Sequence, residues 1–341
     1  MKIDKNNIWY GFHKRRKMRI KVVIILTTIL LSLSLLELIL GNTYYPIPTI
    51  LRVLNGESVK GATFAIMKIR LPRMLSGVLV GLALGIAGNT FQVMLKNPLA
   101  SPDIIGISTG SSVGALFSIL VLNYSGSLVS ISALMTGLTV ASLIYLFSQI
   151  GGFSGSKLIL IGIGVQGMMG SIISYLLLKA PQYDIPAAYR WLSGNLNGVQ
   201  MSSIPLLLYV VLFFGTIILL MERYLKVLEL GDSSATTLGV KTGFVRVMLI
   251  VSSVYLISYS TSVTGPIAFI SFLSGPISRK IYGTSSSIGS SLVGGIIVLA
   301  GDLIGQNLFS VRLPVGIITG MLGTPYLVLQ VVEINKRGVN K

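Results

Sequence analysis

The chain has 341 residues, of which 52% are hydrophobic and only 11% charged, with a mean hydropathy of +0.82. Ordinary soluble domains carry about 25% charged residues, so polar groups are too few to cover a water-facing surface and lipid is the solvent that suits the chain. The formal charge of +17 does not indicate nucleic acid, because the densest basic run is a tail set directly before the first apolar stretch.

That tail contains Lys14, Arg15, Arg16, Lys17, Arg19 and Lys21, with the single histidine, His13, among them. Basic residues flanking a spanning helix favour the cytoplasmic side. The first apolar stretch, 22–40, is near the ~20 residues needed to span hydrocarbon and longer than a signal-peptide core. It runs into Gly41-Asn42-Thr43-Tyr44-Tyr45-Pro46 with no small-x-small cleavage pattern, which predicts a retained first helix with an aromatic belt.

Further stretches long enough to span lie at 72–95, 103–122, 127–149, 157–178, 203–221, 244–263, 286–304 and 314–333, and a shorter one at 266–278. The expectation is an all-α membrane protein of about ten transmembrane helices with both termini cytoplasmic. Residues 1–21 would be a basic tail, 22–335 a single transmembrane domain, and 336–341 a second tail carrying Lys336, Arg337 and Lys341. Charge placement agrees with the positive-inside rule. Inside loops hold Lys96, Lys157, a cluster from Glu222 to Arg246, Arg279 and Lys280, while the outer loops near 123–126 and 260–266 carry no charge. One outer segment breaks the rule: Arg52, Lys60, Lys68, Arg70 and Arg73 lie between the first two helices.

Glycines recur at spacings mostly of three and four: Gly77, Gly81, Gly85 and Gly88 in the second predicted helix, and Gly162, Gly164, Gly167 and Gly170 in the fifth, where the first pair is two apart. Small residues on one face let helices pack closely in lipid, and they also suit helices that slide or rock.

Several chemistries are missing from the sequence. With no cysteine, thiolate metal sites and cysteine nucleophiles are excluded, and a lone histidine in the tail leaves no nucleophile–base pair to draw. Only Glu37 and Asp302 among the acidic residues fall inside a span and not at its edge, a weak basis for an ion-coupled carrier. No phosphate-binding loop is present, since Gly151-Gly-Phe-Ser-Gly-Ser-Lys157 has the wrong spacing. An energy source would have to come from a partner, and no cofactor is expected.

Four blocks resemble the FecCD family of ATP-binding-cassette permeases. The run 69–115 holds Arg70-Leu-Pro-Arg73, Gln92, Asn97-Pro-Leu-Ala100 with Pro102, and Gly106, Gly110 and Gly114. Trp191-Leu-Ser-Gly194, Leu230–Val240 and Leu313–Tyr326 follow in the family's order. The resemblance covers about residues 20–335. There are departures: Gly275-Pro276 stands where many members have Pro-His, Gln306 rather than an Arg follows Asp302 by four, and Tyr326 replaces a Phe. Nearby Arg312 is a candidate to replace that Arg.

The resemblance implies a paired permease, as two copies or as a copy and a paralogue. Its partners would be cytoplasmic ATP-binding subunits and an extracytoplasmic substrate-binding lipoprotein or periplasmic protein. Ferric siderophore is the default cargo, with haem or cobalamin as alternatives; an ion-coupled carrier and a membrane enzyme are the competing classes. Within about 228–242 the residues expected to couple to the ATPase are Leu230, Gly231, Asp232, Ala235, Leu238 and Gly239. Asp232-Ser233 would cap a short helix there and Gly239 end it. Arg70, Arg73 and Arg312 are candidates for docking acidic groups of the binding protein. Gly155 and Ser156 are candidates for an inner gate, since small residues would permit opening. Ser101, Pro102 and Asp103 would be N-cap, first helical position and dipole partner of the third helix. Asn89 and Gln166 would make interhelical hydrogen bonds.

Overall fold

The computed structural model describes the backbone of residues 5–101 and 105–339, with side chains for 17–101 and 105–333. The predicted positions Pro102, Asp103 and Lys341, and the side chains of His13 to Arg16, Lys336 and Arg337, lie outside the described residues. Helices account for nearly all of the rest: α1 (Lys5–Ile39), α2 (Ile47–Leu54), α3 (Ala62–Met94), α4 (Ile107–Leu120), α5 (Ser127–Gln149), α6 (Gly155–Lys179), α7 (Ile185–Leu192), α8 (Ile204–Glu229), α9 (Asp232–Thr237), α10 (Thr242–Thr264), α11 (Ile270–Tyr282), α12 (Ser287–Asn307) and α13 (Val315–Val339). Among the described residues eight helices are long and apolar enough to cross a membrane.

The other two predicted segments are occupied by shorter helices, α4 with 14 residues and α11 with 13. At 1.5 Å per residue each is about 20 Å long, short of the ~30 Å hydrocarbon core. The shortening of α4 has a local cause. Gly106, at a left-handed φ of 88°, stands at its N-cap, so the helix starts at Ile107 and not next to Ser101. The prediction that Ser101 caps this helix is therefore corrected.

Prolines set several helix starts, as at Pro48, Pro186 and Pro205 in the first turns of α2, α7 and α8. In α3 a wide π turn, Ala65–Arg70, leads into Pro72. Proline has no N–H to donate into the ladder, and the wider turn absorbs the mismatch. Ser286 caps α12, its hydroxyl accepting from the Gly289 N–H at 3.2 Å.

α3 is the central element, packed by α8, α10, α11 and α12. Its glycine face meets backbone. A Cβ on Gly81 would lie 2.5 Å from the Gly295 Cα, one on Gly85 2.2 Å from the Ser290 carbonyl, and one on Gly88 2.0 Å from the Ser271 carbonyl. The helices thus touch main chain to main chain, the arrangement that small residues permit in lipid. Cross-helix bonds reinforce the contact, with Ser291 donating to the Leu82 carbonyl at 3.2 Å.

Candidate functional site

Two ends of the bundle carry the residues singled out by the sequence. At one end, Arg70 reaches back to the C-terminus of α1. Its guanidinium donates to the carbonyls of Leu38 (2.7 Å), Ile39 (2.9 Å) and Thr43 (2.5 Å) and lies 4.7 Å above the Tyr45 ring. The last carbonyls of a helix have no partner within it, and Arg70 supplies one.

Arg73, one turn on, is buried. Its Nε donates to Asp302 of α12 at 2.5 Å, with side-chain exposures of 10% and 1%. Glu37 of α1 is buried beside this pair. Arg73 was expected to face a partner protein; in this conformation it is committed to an intramolecular ion pair and has almost no free surface. This also answers what serves Asp302 in place of the family's Arg at 306: the partner comes from α3 and not from Arg312. Arg312 is exposed and donates to the Asn42 side chain.

A cleft of about 450 Å³ opens at this end, between Lys68, Ile69, Pro72 and Arg73 on one side and the loop 196–202 on the other. The floor of that loop is a junction of three sequence blocks. Gly194, at a φ of 63°, sits where a Cβ would be 2.3 Å from the Pro266 carbonyl, and a Cβ on Gly265 would be 2.3 Å from the Trp191 carbonyl. The Asn195 N–H donates to the Thr264 carbonyl at 2.7 Å, and the Gly316 N–H to the Gly194 carbonyl at 3.1 Å. The Trp-Leu-Ser-Gly and Leu-Pro-Val-Gly blocks are thus two halves of one backbone joint. Nothing in either block alone announces this; Gly194 and Gly265 have left-handed φ, and Gly316 must be small because a Cβ there would lie 2.1 Å from the Ser193 carbonyl.

At the opposite end lies the coupling candidate. α9 is a six-residue helix, Asp232–Thr237, with Gly231 (φ 117°) before it and Gly239 (φ 80°) after it. Ala235 is fully buried, whereas Leu230 and Leu238 are exposed. The N-cap is Gly231, with no side-chain cap. The expected capping by Asp232-Ser233 is corrected, because the Asp232 carboxylate turns to Arg246 of α10, whose Nη2 donates to both oxygens at 2.8 Å. Leu238 ends the helix and Gly239 follows in the left-handed region, which fits the expected stop.

The expected inner-gate residues lie close to this assembly. Gly155 and Ser156 open α6, and Gly155 faces Leu95, to whose Cδ2 a Cβ would be 3.0 Å. Lys157 folds back to the carbonyls of Ile150 (3.1 Å) and Gly152 (3.3 Å), closing the turn. Phe153 in that turn lies under the Arg246 guanidinium at 4.2 Å.

Two further polar residues were identified in the sequence without their partners. Gln92 on α3 donates to the Phe272 carbonyl at 3.0 Å and accepts from Arg279 at 2.5 Å. Its Oε1 fills the space a Cβ on Gly275 would need, at 2.1 Å. The Gly275-Pro276 departure is thus matched to Gln92. Asn89 is buried, with no partner for its Oδ1, so the hydrogen bond expected of it is not made through that atom.

Finally, α6 presents an unpartnered face. Gly164, Gly167, Ser171 and Ser174 lie on it, all exposed, and a Cβ on Gly164, Gly167 or Gly170 would meet nothing within 4 Å.

A many-helix apolar bundle, with a short surface helix at one end and a cleft at the other, defines a multi-pass membrane transport subunit. The particular family follows from comparison: the chain matches the FecCD transport family over residues 26–333 and belongs to it. It is 33% identical to the ferric enterobactin transport system permease protein FepG of Escherichia coli, over 83% of this chain and 87% of that protein. It is 32% identical to the Fe(3+)-citrate import system permease protein YfmE of Bacillus subtilis, over 92% and 95%. In structure it is similar to a metal-chelate type ABC transporter in an inward-facing conformation, with a TM-score of 0.82 and 25% identity, covering 92% of this chain and 99% of that one. The protein is a multi-pass permease of the cytoplasmic membrane.

Proposed function

We propose that this chain is the transmembrane permease subunit of a binding-protein-dependent ABC importer that carries ferric siderophore across the cytoplasmic membrane, powered by separate ATP-binding subunits. The observation that carries this is the near full-length similarity to permeases named for ferric enterobactin and iron(III)–citrate, joined to a fold that presents α9 on one end of the bundle.

In this reading α9 receives the ATPase. Leu230 and Leu238 supply the apolar contact, Ala235 seats the helix, and the glycines at 231 and 239 set its approach angle. The end bearing α9 is cytoplasmic together with both termini, as the basic loops favour. Gly155 and Ser156 lie at the inner gate. The open face of α6, small and hydroxyl-bearing, turns toward the pathway between this subunit and a second copy or a paralogue. At the outer end, Arg312 and the cleft beside Lys68 receive the binding protein. Arg70 contributes by holding the end of α1, and Arg73 by its ion pair.

The test is uptake of radio-iron ferric siderophores, haem and cobalamin by cells lacking this gene, with and without its return. ATP-dependent uptake of a ferric siderophore only when the gene is present supports the proposal. Uptake of haem or cobalamin alone would move the cargo class. Restored uptake that persists without ATP would replace the ABC reading with a secondary carrier.

A further inference from the structure

We infer that Arg246 is the positioning residue that links the ATPase-receiving helix to the inner gate, acting through Phe153. The inference rests on the permease reading above and deepens it.

Arg246 stands in the first turn of α10, and its side chain is almost entirely enclosed, with an exposure of 11%. It makes two kinds of contact at once. Toward α9, Nη2 bridges both oxygens of Asp232 at 2.8 Å. Toward α6, the flat guanidinium covers the Phe153 ring at 4.2 Å. Phe153 in turn lies 6.5 Å, ring to ring, from Tyr145 of α5 and packs on the apolar core, two residues before α6 begins. One rigid planar group thus ties a six-residue surface helix to the turn that opens the least-buried long helix of the bundle.

The chemistry of the contact argues against simple packing. Nε of Arg246 is buried without a hydrogen-bond partner, a cost that an apolar side chain of similar length would not carry. The compensation is the combination of a charge for Asp232 and a flat face for Phe153, which arginine alone among the side chains provides. Asp232 is itself 60% exposed on its side chain, so it does not need Arg246 in order to be solvated. What the pair achieves is a fixed geometry between α9 and the 151–154 turn. When an ATPase displaces α9, Asp232 pulls the guanidinium, and Phe153 moves with it at the root of α6.

The test uses the full transporter, co-expressed with its ATPase and reconstituted in proteoliposomes with the binding protein. Both ATP hydrolysis and ferric-siderophore uptake are measured. The wild-type complex must first show ATP-dependent uptake; failure at that step sinks the permease reading and leaves Arg246 out of the question. Given a working wild type, Phe153→Leu and Arg246→Met are expected to lower uptake per ATP hydrolysed by at least about tenfold, in the range of coupling between sites, while hydrolysis and co-purification of the ATPase persist. Phe153→Trp keeps an aromatic face under the guanidinium and should retain coupling. Unchanged uptake per ATP in Phe153→Leu would overturn the inference. So would loss of the ATPase from the Arg246→Met complex, since Arg246 would then only hold α9 in place for docking.

Discussion

α3 and α6 each carry four closely spaced glycines, Gly77 to Gly88 and Gly162 to Gly170, and meet opposite surroundings. In α3, 78% of the most apolar stretch is buried, and in α6 only 11%. Gly81, Gly85 and Gly88 press against backbone of α11 and α12, whereas Gly164, Gly167 and Gly170 face open space. On α6 the glycines that meet neighbours lie in its first half: Gly155 against Leu95, and Gly162, where a Cβ would be 2.8 Å from the Ile105 Cα. A small-residue face therefore specifies that something comes close and not what comes. In α3 the visitor is the rest of the same chain; in α6 the described residues place nothing against the face, which we have proposed to turn toward the pathway.

The largest effects that could break this contrast lie on α3. Arg73→Ala strands Asp302 in the bundle, and loss of one partner of a buried ion pair costs ~3–5 kcal/mol. Thermal unfolding in detergent should show it, and the double variant Arg73→Met with Asp302→Leu should recover most of the loss. A fully stable Arg73→Ala protein would show that the pair is not buried as described. Next is Gly85→Ala, which drives a methyl onto the Ser290 carbonyl and should destabilise by ~1–3 kcal/mol in the same assay. On α6 the expectation reverses. Gly167→Leu should leave unfolding within about 0.5 kcal/mol of wild type, yet abolish uptake if the face lines the pathway. A Gly167→Leu protein that transports normally would break the contrast on the functional side.

Smaller effects are expected at the periphery. Arg312→Glu should weaken capture of the binding protein by a few-fold, as exposed charge pairs contribute little each, measured by titration in nanodiscs. The Arg52–Glu57 pair on the segment between α2 and α3 is the mildest. The hydrogen bond from Arg52 holds the Glu57 carboxyl below the usual carboxylate range, with a slight burial effect opposing and the Arg52 charge adding. A depressed carboxylate contributes above its unfolded pKa and stops contributing as pH falls through the folded value. Amide protection factors around 52–57, taken relative to the intrinsic exchange rate at each pH, should therefore fall on acidification in wild type and stay constant with pH in Glu57→Gln.

The sequence displayed the helices well, because long apolar runs in lipid admit little else. It misjudged the length of one. α4 read as a span from 103, but a left-handed Gly106 delays its start, and a single glycine's φ is set by the fit against α6 and not by local composition. The site was legible as motifs and not as pairings. Arg73 and Asp302 are 229 residues apart, and a charge in an apparent outer loop looks available until its partner is seen. Asp232 looked like a helix cap because Asp before a short helix usually is one. Arg246, fourteen residues on, captured its carboxylate instead. The joint around Gly194 was hidden because each glycine's need comes from a distant block: the Pro266 carbonyl crowds Gly194, and the Ser193 carbonyl crowds Gly316.

The chain has no cysteine, so single-cysteine variants report on one position each, and the most direct measurement is their labelling by a water-soluble maleimide in the assembled transporter. If the α6 face borders a water-filled pathway as proposed, Gly167→Cys reacts readily, while Val80→Cys, on the fully buried core of α3, stays inert. Inert Gly167→Cys in a complex that still transports would place the open face of α6 against lipid or sealed protein and contradict the account.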